Sequence, residues 1–131
     1  MDELESTLQS FLGSFSRLEL EKMIECFAED ATAFFPSEHK KERVEDKKSI
    51  RAVFSDVITK IRRSGVKNMK LTSEDVKIQR FGDIAIVTFQ IRSRDLSRRT
   101  FVFKRELKSW FVVHMHASNA LIEDTYLEAK S

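Results

Sequence analysis

A chain of 131 residues, 1–131, fits a single domain and is long enough to bury a core. Its 23 basic and 21 acidic residues leave a net charge of +2. The basic pairs Lys40–Lys41, Lys47–Lys48, Arg62–Arg63 and Arg98–Arg99 are scattered among acids, not gathered into the stripe that nucleic acid requires. No run approaches the ~20 apolar residues of a membrane span. The start MDELESTLQS lacks the basic-then-apolar order of a secretory signal. The expected setting is the cytoplasm, with no nucleic-acid or membrane partner, and the single Cys26 agrees with a reducing compartment.

Leu4, Leu8, Phe11, Leu12 and Phe15 recur at helical spacing, which predicts an amphipathic helix near residues 2–13. Ser16 and Glu19 have the spacing of a capping box, in which hydroxyl and carboxylate satisfy the free amides of a new helix. That helix would carry Leu20, Met23, Ile24 and Phe27 on one face. Ala31 to Phe35 reads as a short strand stopped by Pro36, and residues 37–46 as a charged loop. Asp46 is placed to cap a third helix whose Ile50, Val53, Phe54, Val57, Ile58 and Ile61 make one apolar stripe, ended by Ser64–Gly65.

Beyond this the pattern is of strands. Met69 and Leu71 alternate, then Val76 and Ile78 alternate in the opposite phase, which predicts a bulge near Ser73–Asp75. Gly82–Asp83 turns the chain into Ile84–Arg92, where Ala85, Val87, Phe89 and Ile91 share a face. A turn near Ser93–Ser97 leads into Thr100–Leu107, and one at Lys108–Ser109 into Trp110–Ser118. Helices followed by an antiparallel meander predict an α+β fold with the helices on one sheet face. The last strand is apolar on both faces, so it needs two covering layers, the helices and a second subunit. Residues 119–131, with Leu121, Ile122, Tyr126 and Leu127, suit either a short helix on a partner subunit or a disordered tail.

Three segments carry a resemblance: Phe27-Ala-Glu-Asp30-Ala-Thr32, Lys48-Ser-Ile50-Arg-Ala-Val-Phe54, and Trp110-Phe-Val-Val-His114-Met-His116-Ala-Ser118. In their order and spacing they resemble the SnoaL-like and ketosteroid-isomerase-like members of the nuclear transport factor 2-like superfamily. The third is similar to the association domain of calcium/calmodulin-dependent protein kinase II. The resemblance implies a cone-shaped, cystatin-like fold, with three N-terminal helices packed on a curved antiparallel sheet. It further implies a pocket between helices and concave sheet, and a homodimer through the convex face. It implies no single activity, because this scaffold carries isomerases, cyclases, dehydratases and non-catalytic modules.

Ketosteroid isomerase needs a carboxylate base, with a tyrosine and a protonated aspartic acid donating to the enolate oxygen. In that family the base follows the aspartate of an Asp-Ala-Thr motif by five residues, just before a proline. Asp30-Ala-Thr-Ala-Phe-Phe35-Pro36 keeps the frame but puts Phe35 in the base position. The oxyanion tyrosine falls on Phe11, and no Asp or Glu lies between Ser97 and Arg105. Steroid-isomerase chemistry is therefore not expected, and no catalytic residue is assigned.

The resemblance aligns pocket residues with Ala117, which assigns Phe111, Val113, Met115 and Ala117 to the pocket face. Trp110, Val112, His114 and His116 then face a partner subunit. Phe11, Phe15, Phe35 and Phe54 either line this pocket or close it as core. The kinase association domain carries an arginine at the Ala117 position that helps it hold small carboxylates; alanine here speaks against that ligand class. His114 and His116 lie on one side of a strand, as metal ligands can, but no other His or Cys cluster joins them and His39 is in a distant loop. No metal or other cofactor is expected. Cys26 reads as a small buried hydrophobe, and Asp30 as an anchor between second helix and strand. Three classes of function remain: a binding module for a small apolar or amphipathic molecule, favoured by the phenylalanines; a SnoaL-like enzyme with unidentified catalytic residues; or a homodimerisation module with a vestigial pocket.

Overall fold

Phenylalanine organises the interior. In the computed structural model, which describes residues 2–93 and 95–121, Phe11 is fully buried. The rings of Phe15, Phe27, Phe54 and Phe101 lie 5.1–6.2 Å from it, mostly edge to face, the arrangement that ring quadrupoles favour. Phe11 projects from α1 (Glu3–Ser16), which buries Leu4, Leu8, Leu12 and Phe15 along the same stripe and is capped by the Asp2 carboxylate, 2.9 Å from the Glu5 N–H.

The predicted capping box at Ser16 and Glu19 does not form. Helix α1 continues through Ser16, and Leu18 then turns the chain with φ of 58°. The Ser16 hydroxyl donates instead to the Met69 carbonyl, and the Glu19 carboxylate pairs with Arg17 at 2.6 Å. The next element, α2 (Leu20–Ile24), is only five residues and has no side-chain cap. Then come β1 (Phe27–Phe34), the two-residue β2 (Val44–Glu45) and α3 (Lys47–Arg63). The expected three N-terminal helices thus reduce to two of substantial length and one short turn, with strands between them. Asp30 lies exposed within β1, not at a helix end. Asp46 does cap α3, its Oδ1 accepting from the Ser49 N–H at 2.8 Å, and Ile50, Phe54, Val57 and Ile58 are buried as the stripe predicts. Gly65, with φ of 89°, follows its end.

The meander comprises β3 (Ser73–Phe81), β4 (Ile84–Arg92), β5 (Asp95–Glu106) and β6 (Ser109–Leu121). The predicted bulge in β3 is present: its register against β4 shifts between Glu74 and Lys77, and Asp75 has φ of 53°. Met69 and Leu71 are not strand; their segment is tied to α1 by the Met69 N–H, 2.8 Å from the Ser16 carbonyl. Asn119 and Ala120 continue β6, whereas Ile122, Tyr126 and Leu127 lie outside the described residues. The sheet order is β2-β1-β6-β5-β4-β3. It is mixed, not wholly antiparallel, because β1 and β6 run parallel. Their connection passes through α3 and four strands, β2 to β5, so no hairpin imposes the antiparallel direction. Among the described residues no helix is long and apolar enough to cross a membrane.

One irregularity reorders the last strand. Val102 pairs with His114 but Phe103 pairs with Val112, so Val113 is an extra residue in β6. Side chains alternate with period two, and one extra residue inverts the phase of everything beyond it. Trp110 and Val112 therefore share the helix-covered face with Met115 and Ala117, and all four are buried. This corrects the expectation that Trp110 and Val112 face a partner subunit. It equally corrects the placement of Phe111 on the pocket face: Phe111 is half-buried opposite Lys104, on the outer side.

Phe11 is fully buried among four other rings, so Phe11→Ala should lose about 3–5 kcal/mol of stability. Phe111→Ala, on the half-exposed face, should lose markedly less. Urea unfolding at neutral pH measures both, and equal losses would contradict the face assignment.

Candidate functional site

A cavity of about 290 Å³ lies between α1, α3 and the inner face of the sheet. Phe15 from α1, Phe35 after β1 and Phe54 from α3 form its aromatic wall, with ring centroids 5.0 Å apart for Phe35 and Phe54 and 5.8 Å for Phe15 and Phe54. Met115 and Ala117 from β6 supply the floor, and Met69 and Leu71 close another side. Ser93 and Asn119, both exposed, mark the mouth, where the Asn119 amide donates to Glu38 at 2.6 Å.

Five expected pocket residues, Phe15, Phe35, Phe54, Met115 and Ala117, thus meet around one space. Phe11 does not reach it, because Phe15 and Phe54 stand beside its ring and it is sealed within the core. Phe111 faces away, and Val113 occupies the bulge.

The polar members of the lining were not foreseen. Arg99 stands directly opposite Ala117 in the β5–β6 register. Its Nε donates to Ser97 Oγ at 3.1 Å, and its Cζ lies 5.7 Å from the centre of the Phe15 ring. Arg99 is half-buried by area yet enclosed by protein, because the surface it keeps borders the cavity. Burial draws its pKa down to about 10, which leaves it charged at neutral pH. His39, expected in a distant loop, also lines the cavity, placed by a turn in which its N–H donates to the Pro36 carbonyl at 2.8 Å. Its Nδ1 is buried without a partner. Burial lowers the His39 pKa, with Lys60 and Arg99 acting in the same direction and Glu38 against it. Asp95 completes the polar set, two alternations from Arg99 along β5. A signal for Arg99 existed: Asp95, Ser97 and Arg99 share the inward phase of Phe101 and Phe103, but the strand was expected to begin only at Thr100.

The remaining candidates lie elsewhere. Cys26 is buried, and burial pushes its thiol up to about 11, the opposite of an activated nucleophile. His114 and His116 occupy the outer face of β6, with the Phe34 ring 6.0 Å from the first and 5.4 Å from the second. His114 Nδ1 shares a 2.8 Å hydrogen bond with Thr32 Oγ1. Burial lowers the His114 pKa first, His116 and Arg43 add to this, and the Thr32 contact opposes it. Among the described residues no three His, Cys, Asp or Glu side chains gather as metal ligands would.

A family model described as a SnoaL-like domain matches residues 4–123. No curated protein matches the sequence significantly. Among solved structures, an NTF2-like protein of unknown function from Pseudomonas putida KT2440 superposes with a TM-score of 0.79 at 17% identity, covering 94% of this chain and 88% of that one. A ketosteroid isomerase-like protein from Erwinia carotovora atroseptica gives 0.72 at 15% identity, covering 89% and 93%. A provisionally assigned calcium/calmodulin-dependent protein kinase type II association domain from Thiobacillus denitrificans gives 0.71 at 19% identity, covering 91% and 96%. At such identities the likeness is one of fold.

His39 and His114 both hold protons less tightly folded than unfolded. Their contribution to stability is therefore full above the unfolded value of about 6.5 and is lost as pH falls through the lower folded values. Urea midpoints should decline from about pH 7.5 to about pH 5.5. His39→Gln and His114→Gln should each remove part of that slope and the double variant most of it; an unchanged slope in the double variant would exclude both histidines as its source.

Proposed function

We propose that this chain, which belongs to the SnoaL-like domain family, is a homodimeric binding module for a small amphipathic molecule held against Phe15, Phe35 and Phe54. The observation that carries the reading is the open cavity of about 290 Å³ beside the buried phenylalanine core. Native cores leave few voids larger than a water molecule. An apolar hollow with a few convergent polar groups is the usual form of a ligand site, though this one is at the small end of the roughly 300–1,000 Å³ range.

Steroid isomerisation is not part of the reading. Phe35 presents a ring where the family resemblance expects a base, and Phe11 has no hydroxyl and no access to the cavity. Asp95, the one carboxylate lining the cavity among the described residues, stands toward the mouth with Ser93, outside the segment from Ser97 to Arg105. A second reading, an enzyme of another SnoaL-like kind, is favoured by His39. An imidazole with an unpartnered buried nitrogen beside a cavity is a group able to move protons.

The dimer surface in this reading is the outer face of the sheet. The half-exposed Phe34, Val102, Phe111 and His114 replace Trp110 and Val112, which belong to the core. Contiguous apolar surface of this kind commonly marks an interface.

A native mass spectrum of protein purified from its own host should show two 15.3 kDa chains carrying a small molecule. Ala117→Phe, which fills the cavity floor, should release that molecule and keep the dimer. An empty wild-type dimer would favour an association module with a vestigial pocket, and a monomer would remove the dimer. In a steroid-isomerase assay with an unconjugated ketone, the rate should equal that of buffer, since base and oxyanion donors each commonly contribute about a hundredfold or more.

A further inference from the structure

We infer that the ligand is an amphipathic carboxylic acid whose carboxylate docks on the Arg99 guanidinium while its apolar body lies against Phe15, Phe35 and Phe54. This rests on the cavity being a binding site, as proposed above.

A guanidinium carries five N–H donors in a rigid fork. In Arg99 one of them goes to Ser97, and the other four meet no protein acceptor among the described residues. Elsewhere Arg17, Arg43, Arg51, Arg80, Arg92 and Arg105 each pair with a carboxylate at the surface, where such pairing matters least. Arg99, enclosed and most in need of a countercharge, has none among the described residues. The Phe15 ring, its centre 5.7 Å from Arg99 Cζ, offers the charge an aromatic face but no lone pair.

His39 supplies an independent observation. Its Nδ1 is the buried side-chain nitrogen without a partner, in the wall of the same cavity, and Arg99 is close enough for its charge to disfavour protonation there. The Arg99 fork calls for an acceptor, and so does His39 in the tautomer that carries its proton on Nδ1. A carboxylate has two oxygens: it can accept from the Arg99 fork and from a neutral His39 that carries its proton on Nδ1.

Charge and size select a monoanion. Arg99 is the one Lys or Arg side chain lining the cavity among the described residues, whereas Asp95 and Glu38 stand toward the mouth, so a dianionic phosphate would keep an uncompensated charge in an apolar enclosure. A volume of about 290 Å³ corresponds to roughly ten water molecules, enough for a carboxylate on a phenyl or short branched body.

Calorimetric titration of the wild-type protein with phenylacetate, 3-phenylpropanoate, 4-phenylbutanoate and hexanoate, each beside its primary amide, tests this. The best acid should bind at least about tenfold tighter than its amide, as expected for a charge-assisted, bidentate contact. Arg99→Gln should abolish the preference while leaving amide binding in place, and Arg99→Lys should retain part of it. The wild-type contrast stands even if a variant fails to fold. Equal affinity for acid and amide would overturn the carboxylate inference and leave the binding reading intact, as would an acid preference that survives Arg99→Gln. No binding of any acid or amide would overturn both.

Discussion

The extra residue at Val113 is the constraint on which the inner surface depends. A strand has no means of correcting its phase except a bulge, and β6 needs one. Its first half must turn Trp110 and Val112 toward the helices, where Val112 meets Phe103 and Phe27 across the neighbouring strands. Its second half must turn Met115 and Ala117 to the same side. Without the bulge the two halves would present opposite faces, and His114 and His116 would enter the core. The core would then hold two imidazoles competing for hydrogen-bond partners, in place of one Met and one Ala.

Inner-face side chains along the β5–β6 pair explain why the hollow opens where it does. From the hairpin end they run Phe103 with Val112, Phe101 with Met115, Arg99 with Ala117, and Ser97 with Asn119. Bulk falls in that direction. Phe101 and Phe103 reach the helices and, with Phe11 and Phe27, close the interior completely. At Ala117 and Ser97 the side chains are too short to meet α3, and the space is bounded instead by Phe15, Phe35 and Phe54 above. The same aromatic cluster is thus core on one side and pocket wall on the other. Whether a given Phe lines the space is decided by the size of the side chains opposite it across the layer.

This is why the sequence disclosed the scaffold better than the site. Helix α3 was legible because one element supplies both its stripe and its Asp46 cap, and β4 because strict alternation needs no partner to be read. The capping box at Ser16 failed because α1 runs through that residue, and its hydroxyl donates to the Met69 carbonyl, a partner that only tertiary structure offers. The faces of β6 failed because a bulge leaves no mark in an unbroken apolar run such as Trp110 to Val113; it shows only in pairing with β5. His39 reached the cavity through a loop closure that no periodicity encodes. Alanine at position 117, where the kinase association domain carries an arginine, speaks against small carboxylates in the sequence alone, yet Arg99 stands beside that position on the adjoining strand. Charge at a site is a property of a place in the fold, and a neighbouring strand can supply it.

Arg99 also shows how stability and recognition oppose each other here. A buried charge without a partner lowers stability relative to an apolar side chain of similar size, and removal of one partner from a buried pair is among the costlier changes in a core. The surrounding structure limits that cost in three ways that the geometry makes visible. Ser97 takes one donor, the guanidinium carbon lies over the Phe15 ring, and the cavity leaves room for water at the remaining donors. None of the three occupies the fork as an anion would. A site so arranged holds its donors in place before the ligand arrives, and little reorganisation is needed when an acceptor displaces the water. The destabilisation of the empty state and the affinity for an anion then have one cause, the unmatched charge opposite Ala117.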